Sequence, residues 1–366
     1  MQSLEDLRIL HTEILRGWGG QESRVLAECL AMKALGAQVY FSCRPGSVLA
    51  EKLHAYGIET LPLPYRSNAD LKTLWALVRF IKAKQINIVN THSGKDTWVG
   101  GLAAKIAGVK FIRTRHMSLP INPARTNFIN ELADYVITTG ESVKENMIRH
   151  NRIKPDRIES IPSGQDDSRF DPALYPRDAI RAQLNIPDDA VCIGNLANIR
   201  SEKRLDIFIQ VALNLHQEFP HALFLLAGKA DDKLADTLKA FIAEHQMENY
   251  VRILGETSHP EEFLAALDVF MLTSESEGIS QSLMQAMLMG KACISTNVGG
   301  IPDLQQGNNL LLTDCHVDQL TAALRSVLAD PQKMHTLQTQ ARGFVAQEFS
   351  QRRMIEKLSA VYRKLL

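Results

Sequence analysis

The stretch "INIVNTHSGKDTWVGGLAAKIAGVKFIRTRH", residues 86–116, decides the fold. A β-branched apolar run passes into a helix-period segment that ends in glycine, and a second apolar run follows at once. Short apolar runs on either side of a helical segment indicate a βαβ unit, and so a pair of parallel strands. The same cadence extends outward. Before it stand "LRILHTEI", "ESRVLAECLAMKALG", "AQVYFSCR" and "LKTLWALVRFIKAKQ", and after it "ADYVITTG", which together predict a three-layer α/β domain. From Ile161 the periodicity lapses into "IPSGQDDSRFDPALYPRDAIRAQLNIPDD", whose Pro, Asp and Ser content reads as an interdomain connection. It restarts in "VCIGNLANI", "ALFLLAG", "VRILGE" and "KACISTN", so a second α/β domain is expected. The tail from Met334 is helical and long enough to cross back. The expected boundaries are an amino-terminal domain over 1–168, a second domain over 169–345, and a returning helix over 346–366.

At 366 residues, two domains also follow from length, because single cores stop growing near roughly 250 to 300 residues. Lysine plus arginine and aspartate plus glutamate each number 41, which leaves no net field to gather nucleic acid. Any anion site must therefore be local. Five cysteines, widely spaced in apolar segments, fit buried free thiols in a reducing compartment and show no zinc spacing. The start "MQSLEDLRIL" lacks the pattern of a signal peptide. A cytoplasmic protein is expected, or one held peripherally on the cytoplasmic face of the inner membrane.

Two similar α/β domains are expected to leave a cleft at the carboxyl ends of their sheets, where such folds bind ligands. Four segments carry chemistry there. "RGWGGQESRV" places Gly17, Gly19 and Gly20 ahead of a helix, either as a tight turn or as a backbone cradle for phosphate or sugar. "NLANIRSEKRLD" offers Arg200 and Lys203 to a diphosphate, although a solvated basic loop is the commoner arrangement. "THSGKD" and "RTRHMS" set His92 and His116 at strand ends, with Arg113 and Arg115 beside the latter. In "SESEGISQSLMQAMLMGKACISTNVGGIPD", the backbone of Gly278, Ile279, Ser280 and Gln281 forms an anion nest, bracketed by Glu277 and Gln285. Met284, Met287 and Met289 read as core. A nest between two hydrogen-bonding side chains suits a nucleotide sugar.

With these segments assembled, the chain resembles the retaining glycosyltransferases of family 4, of GT-B fold, over essentially its whole length. The resemblance rests on "GWGGQE", "NTHSGKD", "RTRH", "IPSGQDDSRF", Lys203, "LLAGKADD" and the stretch 274–303. The family carries two glutamates with seven residues between them. Glu277 matches the first, while Gln285 stands in place of the second. The resemblance implies that Glu277 binds hydroxyls of the donor sugar, that position 285 binds the ribose diol, and that His116 sits over the donor sugar. A glutamine still bonds a ribose hydroxyl but without charge, so donor binding is expected to be moderately weaker. The usual arginine before the lysine falls on Asn198, which passes the second diphosphate cation to Arg200. "PSG" at 162–164 replaces the frequent "PNG", and Asp303 keeps the acid after the double glycine.

By resemblance the reaction moves a sugar from a nucleoside diphosphate to an acceptor hydroxyl, with no cofactor and no metal. Asp166 and Asp167 read as a turn. The acceptor is expected to be a glycan or lipid-linked glycan of the lipopolysaccharide type, with Arg113, Arg115 and Arg125 as candidate contacts for its anionic groups. The segment 71–85, with Trp75 and Phe80 beside Arg79, Lys82 and Lys84, reads either as a surface on an anionic membrane or, more commonly, as a core helix with a solvated basic face. Two alternatives stand beside transfer: a nucleotide-sugar epimerase of the same architecture, and an inactive nucleotide-binding paralogue suggested by Gln285 and Asn198.

Overall fold

The computed structural model describes residues 3–116, 121, 128–229 and 232–366. Among them the chain forms two compact units, one of residues 1–164 with 351–366, the other of residues 165–350. In the first, strands β1 (Arg8–Glu13), β2 (Gln38–Cys43), β3 (Glu59–Pro62), β4 (Ile88–Thr91), β5 (Lys110–Arg115), β6 (Tyr135–Thr138) and β7 (Ile158–Ser160) lie in the order β3-β2-β1-β4-β5-β6-β7. Every pairing is parallel. The stretch that opens the sequence reading folds as expected, with β4 and β5 in register (Ile88 opposite Lys110) around the helix Gly94–Ala107. Ser93 and Asp96 start that helix with a capping box, which satisfies N–H groups the helix itself cannot.

The second unit repeats the plan. Strands β8 (Val191–Leu196), β9 (Ala222–Ala227), β10 (Val251–Gly255), β11 (Val269–Leu272), β12 (Ala292–Thr296) and β13 (Leu311–Thr313) run parallel in the order β10-β9-β8-β11-β12-β13. β9, β11 and β12 are buried along their whole length, as expected of a sheet covered on both faces. Met284, Met287 and Met289 lie in its core. Both sheets reverse their strand order once, between β1 and β4 and between β8 and β11, and at such a reversal the loops leaving adjacent strands diverge to leave a crevice.

The second unit begins at Gln165, not at 169, and takes in most of the stretch from Ile161 that reads as an interdomain connection. Phe170, Ile180 and Ile186 are buried in that unit's core, with the helix Arg177–Gln183 between them. Likewise the helix Pro331–Glu348 stays with the second unit through Leu337, Ala341 and Val345, so the return begins at Gln351 and not at 346. The helix Gln351–Leu365 then buries Met354, Leu358, Val361 and Tyr362 in the first unit. Each such side chain contributes about 1.5–3 kcal/mol relative to exposure. A Cβ on Gly164 would meet the Cα of Gln351 at 2.5 Å, so only glycine fits where the outgoing and returning segments pass. The five cysteines are free thiols, and Cys315 alone is not fully buried. No helix among the described residues is long and apolar enough to cross a membrane.

Candidate functional site

In the second unit the loops after β8, β11 and β12 meet at the sheet's reversal point. Lys203 closes a short 3-10 turn (Ser201–Lys203) after β8, and its Nζ donates to Glu277 Oε1 at 2.7 Å. The Ser274 hydroxyl donates to the same oxygen at 2.7 Å. The two loops are fastened by Thr273 Oγ1 donating to the Lys203 carbonyl at 2.9 Å and by Glu275 N–H donating to the Glu202 carbonyl at 2.9 Å. The ion pair is largely covered, with 22% of the Lys203 and 9% of the Glu277 side chain exposed, so solvent screens it less than an open surface pair.

The nest that follows is built on the helix Gln281–Leu288. Ser280 caps it by accepting from Leu283 N–H at 3.4 Å, and Gln281 Oε1 accepts from Gln165 Nε2 at 3.3 Å. Gly300 N–H donates to the Gly278 carbonyl at 2.8 Å, and a Cβ at position 300 would lie 2.8 Å from both that carbonyl oxygen and Ile279 Cγ1. The glycine is therefore required for the loop after β12 to lie against the nest. Gln285 is half-buried one turn into the helix, and its side-chain amide bonds no described residue. Gly278, Ile279, Ser280 and Gln281 are thus brought together with Glu277, Lys203 and Gln285. Arg200 is not: 63% of its side chain is exposed, its nearest acid is Glu202 at 3.9 Å, and it lines an open hollow of about 490 Å³ with Lys233, Leu234 and Thr237. Asn198 is exposed.

In the first unit, Gly19 and Gly20 lead into the helix Gly20–Ala34, with Gly19 extended at φ −163°. None of Gly17, Gly19 and Gly20 occupies the left-handed region, so no positive φ requires a glycine at these positions. A Cβ at Gly17 would meet nothing, and one at Gly19 would approach Glu22 Oε2 at 3.3 Å. Gly17 and Gly19 stand ahead of the helix that begins at Gly20.

The strand-end histidines have a different surrounding from the one expected. His92 does not project outward. It is 2% exposed, and its two ring nitrogens are engaged by His11 Nδ1 and His116 Nε2, each at 2.9 Å. His116 is the half-buried outer ring, and its carbonyl accepts from Thr139 Oγ1 at 3.3 Å. Burial is the main cause that lowers the pKa of all three rings, helped at His92 and His116 by neighbouring arginines and opposed at His11 by Glu28. Arg113 is not an acceptor contact: it is 2% exposed, its Nη1 donates to the carbonyls of Thr91 and Thr114, and burial pulls its pKa down to about 10. Burial also lowers Arg115, whereas Arg125 lies outside the described residues, as do Ala230 and Asp231 of "LLAGKADD".

Several members of this polar cluster were not read from the sequence. Glu13, at the end of β1, accepts from the N–H groups of Ile14 and Leu15 and from the side chains of Gln21 and Ser93. Asp96 accepts from Thr12 Oγ1 and from the N–H groups of His92 and Ser93, and burial together with Glu13 raises its pKa to about 6. Arg24 and Glu28 are buried on the helix after the glycines. The signal was present: Arg24 and Glu28 are four residues apart beside Val25, Cys29 and Met32, on the side of the helix that packs inward. No cluster of three or more His, Cys, Asp or Glu among the described residues could hold a metal ion.

Known proteins share this layout. The family model for glycosyl transferases group 1 matches residues 176–344, and that for Glycosyltransferase Family 4 matches residues 18–169. The chain is 23% identical, over 97% of its length and 96% of the relative's, to a UDP-Gal:alpha-D-GlcNAc-diphosphoundecaprenol alpha-1,3-galactosyltransferase of Escherichia coli. It is 24% identical, over 85% and 88% of the two lengths, to an alpha-maltose-1-phosphate synthase of Mycolicibacterium smegmatis. Among solved structures, HepE of Anabaena in complex with UDP superposes with a TM-score of 0.88 at 19% identity, covering 98% of this chain and 100% of that one.

Proposed function

From the premise that this chain belongs to glycosyltransferase family 4, with the GT-B fold and hexosyl transfer from nucleotide sugars as its activity, we propose that it is a retaining enzyme of cell-envelope glycan assembly whose acceptor is a glycan or lipid-linked glycan. The observation that carries the donor side is the covered Lys203–Glu277 pair set against the 278–281 backbone at the reversal point of the second sheet. Lys203 and the first-turn N–H groups stabilise the charge that grows on the departing diphosphate, preorganised so that no solvent must rearrange. Glu277 and His116 take hydroxyls of the donor sugar, and Gln285 takes the ribose. Arg200, exposed as it stands, swings onto the diphosphate when donor binds. The acceptor oxygen bonds the anomeric carbon as the bond to phosphate breaks, and the acceptor proton leaves on a phosphate oxygen. The scheme needs no metal and no protein nucleophile.

A lipid-linked acceptor is favoured by the helix Leu71–Ala83, which leaves Trp75 52% and Leu71 64% exposed while Lys72, Arg79 and Lys82 face solvent. An apolar surface edged by cations suits an anionic membrane on the cytoplasmic side. The match of both halves to glycosyltransferase models speaks for transfer over epimerisation. The test is transfer from a panel of UDP-, GDP-, ADP- and TDP-sugars to undecaprenyl-diphosphate-linked acceptors in the presence of EDTA, with the anomeric configuration of the product read by NMR. Retained configuration with EDTA present is expected. Inversion, or loss of turnover with EDTA restored by a divalent cation, contradicts the scheme.

A further inference from the structure

The His11–His92–His116 chain has a direction. All three rings are neutral at neutral pH, since their pKa values are lowered, and each carries one N–H. The middle ring makes two hydrogen bonds with a single proton, so it donates one and accepts the other. Two arrangements remain for the whole chain. Either every N–H points toward His11, or every N–H points toward His116.

The charges at the two ends differ. Glu28 is the charged group acting on His11, whereas Arg24, Arg113 and Arg115 act on His116 with no acid among them. N–H dipoles aligned from His116 toward His11 place their positive end at the carboxylate and their negative end at the guanidinium groups. The same alignment suits two of the buried polar atoms that have no hydrogen-bond partner among the described residues, His11 Nε2 and Glu28 Oε2. With the chain pointing toward His11 they are a donor and an acceptor. With it reversed they are two acceptors, which only a donor such as the unpartnered Arg24 guanidinium could satisfy, so the opposed charges at the two ends carry the choice. Glu28 is itself fixed, because its Oε1 accepts from the Tyr362 hydroxyl and from Asn90 Nδ2.

We propose that Glu28, acting through His11 and His92, is a positioning residue that holds His116 as its Nε2–H tautomer, so that His116 Nδ1 offers a lone pair to a hydroxyl of the bound sugar. This rests on the reading of His116 as a sugar contact. It adds the polarity of that contact, and it predicts rejection of a sugar that presents only an acceptor there. The C-terminal helix thereby enters the site's chemistry through Tyr362.

Long-range proton–nitrogen correlation spectra of the full chain, labelled with nitrogen-15 in histidine and recorded at neutral pH, test it directly. His116 is identified by the signals lost in His116→Ala. The proton is expected on Nε2, and a proton on Nδ1 overturns the proposal without need of any further variant. In Glu28→Gln, which keeps an acceptor for Tyr362 and whose folding is checked by its melting temperature, the Nδ1–H form is expected to become populated. A folded Glu28→Gln with the tautomer unchanged removes Glu28 from the role. Turnover separates this from the parent reading. Glu28→Gln should slow transfer several-fold in the native background and not at all on His116→Ala, where the coupling is gone. Full turnover in His116→Ala would instead overturn the sugar contact itself while leaving the tautomer measurement standing.

Discussion

The two strand-reversal points are built from the same topology but handle charge in opposite ways. In the first unit His11, His92, Arg24, Glu28, Arg113 and Asp96 are all buried, and the network is held by side chains from several strands and by the C-terminal helix. In the second, Arg200 is exposed, Lys203 is partly so, and the anion nest is mostly backbone. Burial gives each hydrogen bond made in this network weight and direction, although among the described residues the three Arg24 guanidinium nitrogens have no hydrogen-bond partner. An exposed cation such as Arg200 is cheap to hold without a ligand and gains most when an anion arrives, while Lys203 is held by Glu277. The contrast is consistent with the proposed scheme, in which the first unit orients the sugar and the second captures the diphosphate.

The largest effect that would break this contrast is removal of residues 351–366. It strips Met354, Leu358, Val361 and Tyr362 from the first core, together roughly 6 kcal/mol or more against a total stability of about 5–15 kcal/mol. Limited proteolysis should show the first unit digested while the second survives. Next come Lys203→Ala and His116→Ala, each expected to lower turnover at least about tenfold, or roughly 1.4 kcal/mol. The two should separate in kind. Lys203→Ala should weaken nucleoside-diphosphate binding measured by calorimetry, whereas His116→Ala should leave it unchanged.

Acid should strike the first unit. His92 binds a proton less readily folded than unfolded, so the stability it confers is present above pH 6.5 and is lost as pH falls below it. The slope is at most about 1.4 kcal/mol per pH unit for this one ring. Asp96 works with the opposite sign: its folded pKa is raised from 3.8 to about 6, so its contribution is present below 3.8 and is lost as pH rises through 6. Three lowered histidines should outweigh one raised acid. Melting temperature against pH should therefore fall below pH 6.5, and a flatter curve is expected for His92→Gln. The smallest effect is Gln285→Glu, expected to tighten donor binding by about 1 kcal/mol, since bonds to charged groups exceed neutral ones by roughly that much. An unchanged donor KM in Gln285→Glu, with full activity in Gln285→Ala, would remove the ribose role.

Much of the fold was legible because strand periodicity and strand ends leave marks in sequence. The βαβ cadence located both sheets, and loop composition together with the family resemblance singled out the residues just beyond β8, β11 and β12 that the proposed scheme uses. The buried half of the first site was not. His11 lies inside β1, where it reads as one more residue of a core strand. Arg24 and Glu28 left only a faint mark, their spacing beside Val25, Cys29 and Met32, and the bond from Tyr362 of the helix Gln351–Leu365 to Glu28 shows that this part of the helix is covered. The segment after Ile161 misled for a related reason. Pro, Asp and Ser punctuate it densely, yet Phe170, Ile180 and Ile186 were enough to draw it into the second core.

The most direct test of the account is a thermal-shift panel with UDP, GDP, ADP, TDP and CMP on the native chain and on Gly300→Ala. The added Cβ lies 2.8 Å from the Gly278 carbonyl oxygen and must push the loop off the nest. The account predicts that one diphosphate stabilises the native chain, by about 2.7 kcal/mol at a hundred times its dissociation constant, and that Gly300→Ala loses most of that shift. Stabilisation by none of the five, or a shift that survives Gly300→Ala intact, would contradict the placement of the donor at the second reversal point.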